Sequence, residues 1–163
     1  MIQGLIARLF GGARPPTVEA AALGDARRLA QLHAASFHRG WGTGEFEQLL
    51  IDRNVLIHRL RHKDNIIGFA VSRCAADEAE ILSIAIDPRH RGRGLSRPLL
   101  LSHLGHLAGH GVTRVFLEVE ENNEPARRLY EHAGFAVVGR REGYYRASAG
   151  PALNALVMRR DLS

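Results

Sequence analysis

Apolar positions change their period several times along the chain, and the changes mark its elements. Ile2, Leu5, Ile6, Leu9 and Phe10 repeat with the spacing of one helix face, and Gly11 and Gly12 end that pattern. A short amphipathic helix and linker is therefore expected over residues 1–14, followed by one domain over 15–163. Residues 17–21 read as a short strand. Asp25 reads as the N-cap of a helix that carries Ala26, Leu29, Leu32, His33 and Phe37. Glycines 40 to 44 interrupt around Trp41, and residues 45–51 resume as a short helix. Three strand-like runs, 55–60, 66–74 and 79–87, are separated by turn-forming triplets and predict an antiparallel meander. Pro88 ends the third run. A helix is predicted over 95–110, closed by Gly111, then a strand over 114–120 and a helix over 125–132 stopped by Gly134. Strands over 135–145 and 152–160 complete the chain. The fold class is α/β: about seven strands in a mixed, mostly antiparallel sheet, flanked by about four helices, and not doubly wound.

Composition narrows the function classes. The chain has 163 residues, 45% hydrophobic and 24% charged, which suits a single domain with its own core. Lys and Arg number 22 against 17 Asp and Glu, a net charge of +5. The excess favours an anionic partner and leaves nucleic acid, an acidic membrane or a phosphate-rich cofactor open. Cys74 is the one cysteine, so no internal disulfide can form. Its place in an apolar strand makes it a small buried hydrophobe rather than a nucleophile. Together with the lack of a signal peptide pattern or an apolar run of about 18 residues, this predicts a cytoplasmic protein without a membrane span. His103, His106 and His110 lie at i, i+3 and i+7 on one predicted helix, with no Cys or carboxylate at ligand spacing. They read as a solvated face, and no metal site is expected.

The segment from Ile81 to Leu100 carries the most chemistry. A strand runs into an Arg/Gly loop, and the loop opens a helix whose first turn has unpaired N–H groups and a partial positive charge. Gly92 and Gly94 permit close backbone approach, while Arg89, Arg91, Arg93 and Arg97 add positive potential. A pyrophosphate fits such a loop, although an ordinary surface turn or a nucleic-acid contact has the same look. The spacing matches neither the P-loop nor the dinucleotide fingerprint. On the 114–120 strand, Glu118 shares a face with Phe116 and Glu120, mid-strand, where a carboxylate is either partly desolvated and raised in pKa or simply turned to solvent. Tyr130 falls on an apolar helix face with Ala126, Leu129 and Ala133, and Asn123 precedes that helix as a cap.

The loop reads Arg91-x-x-Gly94-x-Ser96, and it resembles the acetyl-CoA loop of the GCN5-related N-acetyltransferase (GNAT) superfamily, with Ser96 in place of the usual Gly or Ala. Downstream, Leu117-Glu118-Val119, Asn123, Leu129-Tyr130, Gly134-Phe135 and Tyr144-Tyr145 are similar in spacing to the ribosomal-protein alanine N-acetyltransferase branch (RimI-type). The likeness covers roughly residues 17–162. It implies that acetyl-CoA is the donor, bound by the main chain of Ile84, Ala85 and Ile86, by Arg91, Gly92, Arg93, Gly94, Leu95, Ser96 and Arg97, and by Asn123. It implies Glu118 as general base and Tyr130 as general acid, with Trp41, Tyr144 and Tyr145 near the acceptor. The expected acceptor is a protein N-terminus, a ribosomal protein among the candidates. A lysine side chain or a small amine is the alternative, and a non-catalytic ribosome- or RNA-binding module on the same fold is a third reading. Direct attack without an acyl-enzyme is implied. Asn154 stands where the branch usually carries Asp. Arg140, Arg141 and Arg146, interleaved with the two tyrosines, read as a basic, aromatic patch that could meet RNA or peptide.

Overall fold

A computed structural model of the chain describes residues 14–146 and 152–162; the side chains of 144–146 and 152 fall outside the described set. The helix expected at residues 2–10 lies outside it as well. Strands β1 (Thr17–Ala20), β2 (Val55–His62), β3 (Asn65–Ala75), β4 (Glu78–Ile86), β5 (Arg114–Glu120), β6 (Ala136–Arg146) and β7 (Ala152–Asp161) form one sheet in the order β1-β2-β3-β4-β5-β7-β6. Every pairing is antiparallel except β4 with β5. Helices α1 (Ala26–Ser36), α2 (Thr43–Ile51), α3 (Ser96–Gly109) and α4 (Glu124–His132) cover both faces. Among the described residues no helix is long and apolar enough to cross a membrane.

The two faces have separate cores because strand side chains alternate. Leu29, Leu32 and Phe46 from α1 and α2 pack on Ile57, Phe69, Val71 and Ala85. On the other face, Leu100, Leu104 and Leu107 of α3 and Tyr130 of α4 pack on Ile81, Val115, Leu117, Val119 and Met158. In β5 the alternation is unbroken, with Val115, Leu117 and Val119 buried and the residues between them half-buried. The strand therefore shows Phe116, Glu118 and Glu120 to the α1/α2 side.

Parallel strands need a crossover, and α3 supplies it between β4 and β5. Their pairing runs only from Glu78↔Arg114 to Ile81↔Leu117. At that point β4 carries a bulge: Ile81 faces Ser72 and Ser83 faces Val71, which leaves Leu82 as the extra residue. A bulge bends its strand and increases the local twist. Beyond it the two strands part, and a slot opens between Leu82–Ile86 and Glu118–Glu120.

Two readings of the sequence are corrected by the fold. Asp25 stands at the N-cap of α1 as expected, but its side chain does not cap the helix. It ends a 3-10 turn, accepts the Ala22 N–H at 2.7 Å, and pairs with Arg59 at 2.9 Å. The three α3 histidines do not form a solvated face. His103 is wholly buried, its Nε2 2.6 Å from Ser72 Oγ and its Nδ1 2.7 Å from His58 Nδ1, while His106 and His110 remain at the surface. Cys74 is half-buried with its thiol pushed up by burial, in keeping with an inert apolar role.

Candidate active site

The Arg/Gly loop sits at the open end of the slot. Gly92 and Gly94 have φ of +78° and +69°, a region that side-chain-bearing residues enter only with strain, and no neighbouring atom approaches within 4 Å of where a Cβ would stand. Backbone conformation, rather than crowding, demands these two glycines. Ser96 and Arg97 begin α3, so their N–H groups belong to the unpaired first turn, and Pro98 follows where the missing donor costs little. Arg93 and Arg97 are exposed beside them. Leu95, in contrast, is buried and anchors the loop to the core with Leu99.

The loop is pinned from below. Asp87 accepts the Arg89 N–H at 3.0 Å and an Arg28 Nη at 2.8 Å, and Arg28 also donates to the Ile66 carbonyl at 3.1 Å. Burial raises the Asp87 carboxyl, but these donors outweigh it and hold the group below its usual range. Arg91 donates to the Ile86 carbonyl at 3.3 Å and to Ser36 Oγ at 2.9 Å, so this arginine braces the loop against β4 and α1. Arg28, Asp87 and Ser36 had no signal in the sequence, since each is far from its partner along the chain.

On the slot's inner side, β3 takes one edge of β4 through Ala70↔Ile84, Phe69↔Ala85 and Gly68↔Ile86, and the edge facing β5 carries no ladder. Extended main chain with a free edge can pair with an amide-bearing ligand as another strand would. A long donor with a phosphate head thus finds loop N–H groups at one end and strand edge along its body. The donor fits the residues present.

Glu118 stands where the slot opens to the α1/α2 side. Its side chain is 16% exposed and ion-paired with Arg141 at 3.1 Å. Tyr130 lies on the opposite side of the sheet, 8% exposed, with its ring edge-on to Phe135 at 5.9 Å between centroids. The carboxylate and the phenol thus lie on opposite faces of the sheet. Asn123 caps α4, its Oδ1 accepting the Ala126 N–H at 3.2 Å, as its place before the helix predicts.

Two hollows lie on the α1/α2 side. The larger, 640 Å³, is lined by Trp41, Glu45, Gln48 and Leu49 together with Arg73 and Leu82. The smaller, 350 Å³, includes Glu118, Arg141, Phe116 and Glu80 and shares Arg73. Arg73 was not singled out by the sequence, because an exposed arginine near a strand end carries no pattern. The basic patch expected around residue 140 is not a free cationic surface: Arg140 pairs with Glu121 at 3.0 Å and Glu142 at 3.1 Å, and Arg141 with Glu118. Arg140 and Asn154 together hold the Glu121 carboxyl below its ordinary value. Asn154 also accepts the Gly143 N–H at 3.1 Å, so it stitches the ends of β5, β6 and β7. The side chains of Tyr144, Tyr145 and Arg146 lie outside the described residues. Among those described, no three His, Cys, Asp or Glu side chains gather to hold a metal ion.

Comparison with known proteins agrees with this geometry. The model of the acetyltransferase (GNAT) family matches residues 26–135. A [ribosomal protein bS18]-alanine N-acetyltransferase of Haemophilus ducreyi is 31% identical over 136 residues, which is 82% of this chain and 92% of that one. An N-alpha-acetyltransferase RimI of Mycobacterium tuberculosis is 35% identical over 153 residues, covering 90% and 93%. The crystal structure of the ribosomal-protein-S18-alanine N-acetyltransferase of Escherichia coli superposes with a TM-score of 0.84 at 27% identity, over 91% of this chain and 94% of that one.

Proposed function

The chain belongs to the GNAT acetyltransferase family and is an acetyl-CoA-dependent N-acetyltransferase, and we propose that its acceptor is the N-terminal α-amine of a protein, a ribosomal protein first among the candidates. The relatives named for that activity span most of both chains, which supports carrying the acceptor class over. The single cysteine favours a cytoplasmic setting for such a reaction.

One observation supports the assignment of roles: Glu118 follows directly on the last β4–β5 pair, Ile81↔Leu117, and faces the opposite side of the sheet from Tyr130. An α-amine has a pKa of about 7.7 to 8.0 and is largely protonated at neutral pH. Glu118 takes that proton as the amine arrives from the α1/α2 side. The neutral nitrogen attacks the thioester carbonyl carbon, the tetrahedral adduct collapses with loss of the C–S bond, the thiolate takes a proton from the Tyr130 hydroxyl, and the surplus proton on the new amide nitrogen passes through solvent to restore the phenol, while Glu118 releases its proton to solvent. Arg141 steadies the Glu118 carboxylate between turnovers. The Gly92 to Arg97 loop, with Arg91 as its brace, holds the pyrophosphate, and the free β4 edge, to which Ile84 and Ile86 turn their main chain while Ala85 turns to Phe69 of β3, aligns the donor's amide arm, with Asn123 at its end. Trp41, Tyr144 and Tyr145 receive the acceptor.

Incubation of the protein and acetyl-CoA with a library of short peptides of varied first residue, each with an internal lysine, tests the reading by mass mapping. Acetyl groups are expected on α-amines, alanine-first peptides foremost. Label only on lysine side chains, or only on small amines supplied in competition, overturns the acceptor assignment.

A further inference from the structure

We propose that His33 is a positioning residue for acceptor recognition: its neutral imidazole holds Trp41 as the wall of the larger hollow and releases it on protonation. The inference rests on the acceptor reading above for its kinetic part, and on geometry alone for its structural part.

His33 is 4% exposed, near the C-terminal end of α1. Its ring is stacked on both sides, on Trp41 at 4.4 Å with planes 15° apart and on Phe37 at 4.4 Å with planes 30° apart. Phe46 of α2 meets it edge-on at 5.9 Å and Phe69 of β3 lies at 6.2 Å. The Trp41 backbone N–H donates to His33 Nδ1 at 3.0 Å. That bond fixes the chemistry of the ring, because an acceptor at Nδ1 requires the neutral tautomer with its proton on Nε2. A proton on Nδ1 would set donor against donor and free the loop that carries Trp41. Of the elements packed on the ring, β3 offers Phe69, the loop offers Trp41, and α2 offers Phe46 and the charged Glu45. Burial draws His33 below its ordinary value of 6.5, against the upward pull of Glu45, so the holding form prevails at neutral pH. Trp41 and Glu45 both line the hollow, so whatever moves this loop reshapes the acceptor side.

Trp41 is the only tryptophan, which makes its fluorescence a direct reporter. Wild type, His33→Asn and His33→Phe would be titrated by Trp41 emission without substrate and assayed with an alanine-first peptide. Asn can present an acceptor oxygen near the Nδ1 position; Phe keeps the stacking and removes the acceptor. Wild type is expected to show an emission transition below pH 6.5 that both variants lack. At neutral pH the peptide KM should rise about tenfold in His33→Phe, the effect of leaving a buried donor unpaired, and return most of the way in His33→Asn. The KM for acetyl-CoA and kcat should stay within about twofold, since an interaction made equally in ground and transition states moves KM alone. A transition that survives in both variants, or a peptide KM unchanged in a folded His33→Phe, overturns the proposal. A protein that fails to acetylate α-amines leaves the fluorescence arm intact, so failure of the acceptor reading is told apart from failure of this one.

Discussion

The two faces of the sheet are made of the same strands and put their polar groups to opposite uses. On the α3/α4 side, His58, His103 and Ser72 form a chain of hydrogen bonds among themselves, sealed by leucines. On the α1/α2 side, Glu118, Arg73, Glu80 and Glu45 line open hollows. Buried polar groups that satisfy one another contribute to a unique fold, whereas polar groups at the wall of an open cavity can exchange a partner for whatever arrives. The contrast implies that damage on the first face should appear as lost stability and damage on the second as lost turnover.

The sharpest attempt to break that division is Glu118→Gln. It is expected to lower kcat/KM by about 10² to 10⁴, the span of a lost general base, while the melting-temperature gain on adding CoA stays as in wild type. Equal loss of CoA stabilisation would mean that Glu118 holds the site together instead of moving a proton. Tyr130→Phe should also slow turnover, and by less where solvent can protonate the departing thiolate.

Acid probes the opposite face. Burial lowers His58 from 6.5 to about 4, with His106 and His110 adding to the shift, and lowers His103 further, with His58 and His106 adding to it. The unfolded chain takes up these protons first as pH falls. The stability present above pH 6.5 is therefore lost progressively as pH drops from 6.5 toward 4. Between pH 7 and pH 5 the unfolding free energy should fall by roughly 2 kcal/mol for each of the two histidines, read from denaturant midpoints. A flat profile over that range would remove the buried histidines from the stability of this face.

Gly94→Val tests the junction where the faces meet. A β-branched residue at a positive φ costs about 1 to 2 kcal/mol, so acetyl-CoA affinity should drop about tenfold with little change in the peptide KM. Smallest of all, Arg141→Ala removes a guanidinium that is more than half exposed, and should change kcat by no more than about threefold. A larger effect would draw Arg141 into the transfer step.

What could be read in advance follows the same division. The β5 boundaries, 114 and 120, were visible because strict alternation of Val115, Leu117 and Val119 leaves one strand phase, and the donor loop was visible because glycines and arginines fall close together in sequence. His103 offered a local signal that pointed the other way when read with His106 and His110: it sits on the stripe of Leu99, Leu100, Leu104 and Leu107, the buried face of α3. Its partners are 31 and 45 residues distant, and strand register, which brings them there, has no local signature. The Leu82 bulge was hidden for a similar reason, since every residue of Ile81-Leu82-Ser83-Ile84 suits a strand and none marks the surplus position. Arg73, the Arg28–Asp87 pair and the Arg141–Glu118 pair are long-range contacts of the same kind.

That surplus residue has a consequence for how the sheet stays unzipped. Adjacent strands of a twisted sheet would ordinarily close along their whole length, and here the ladder stops at Ile81↔Leu117 with strand remaining on both sides. Leu82 works as the slider left part-way along a zip: the teeth beyond it are intact and apart. Deleting Leu82 should straighten β4, let the teeth engage past Glu118, and yield a protein more stable than the parent that no longer admits a thioester.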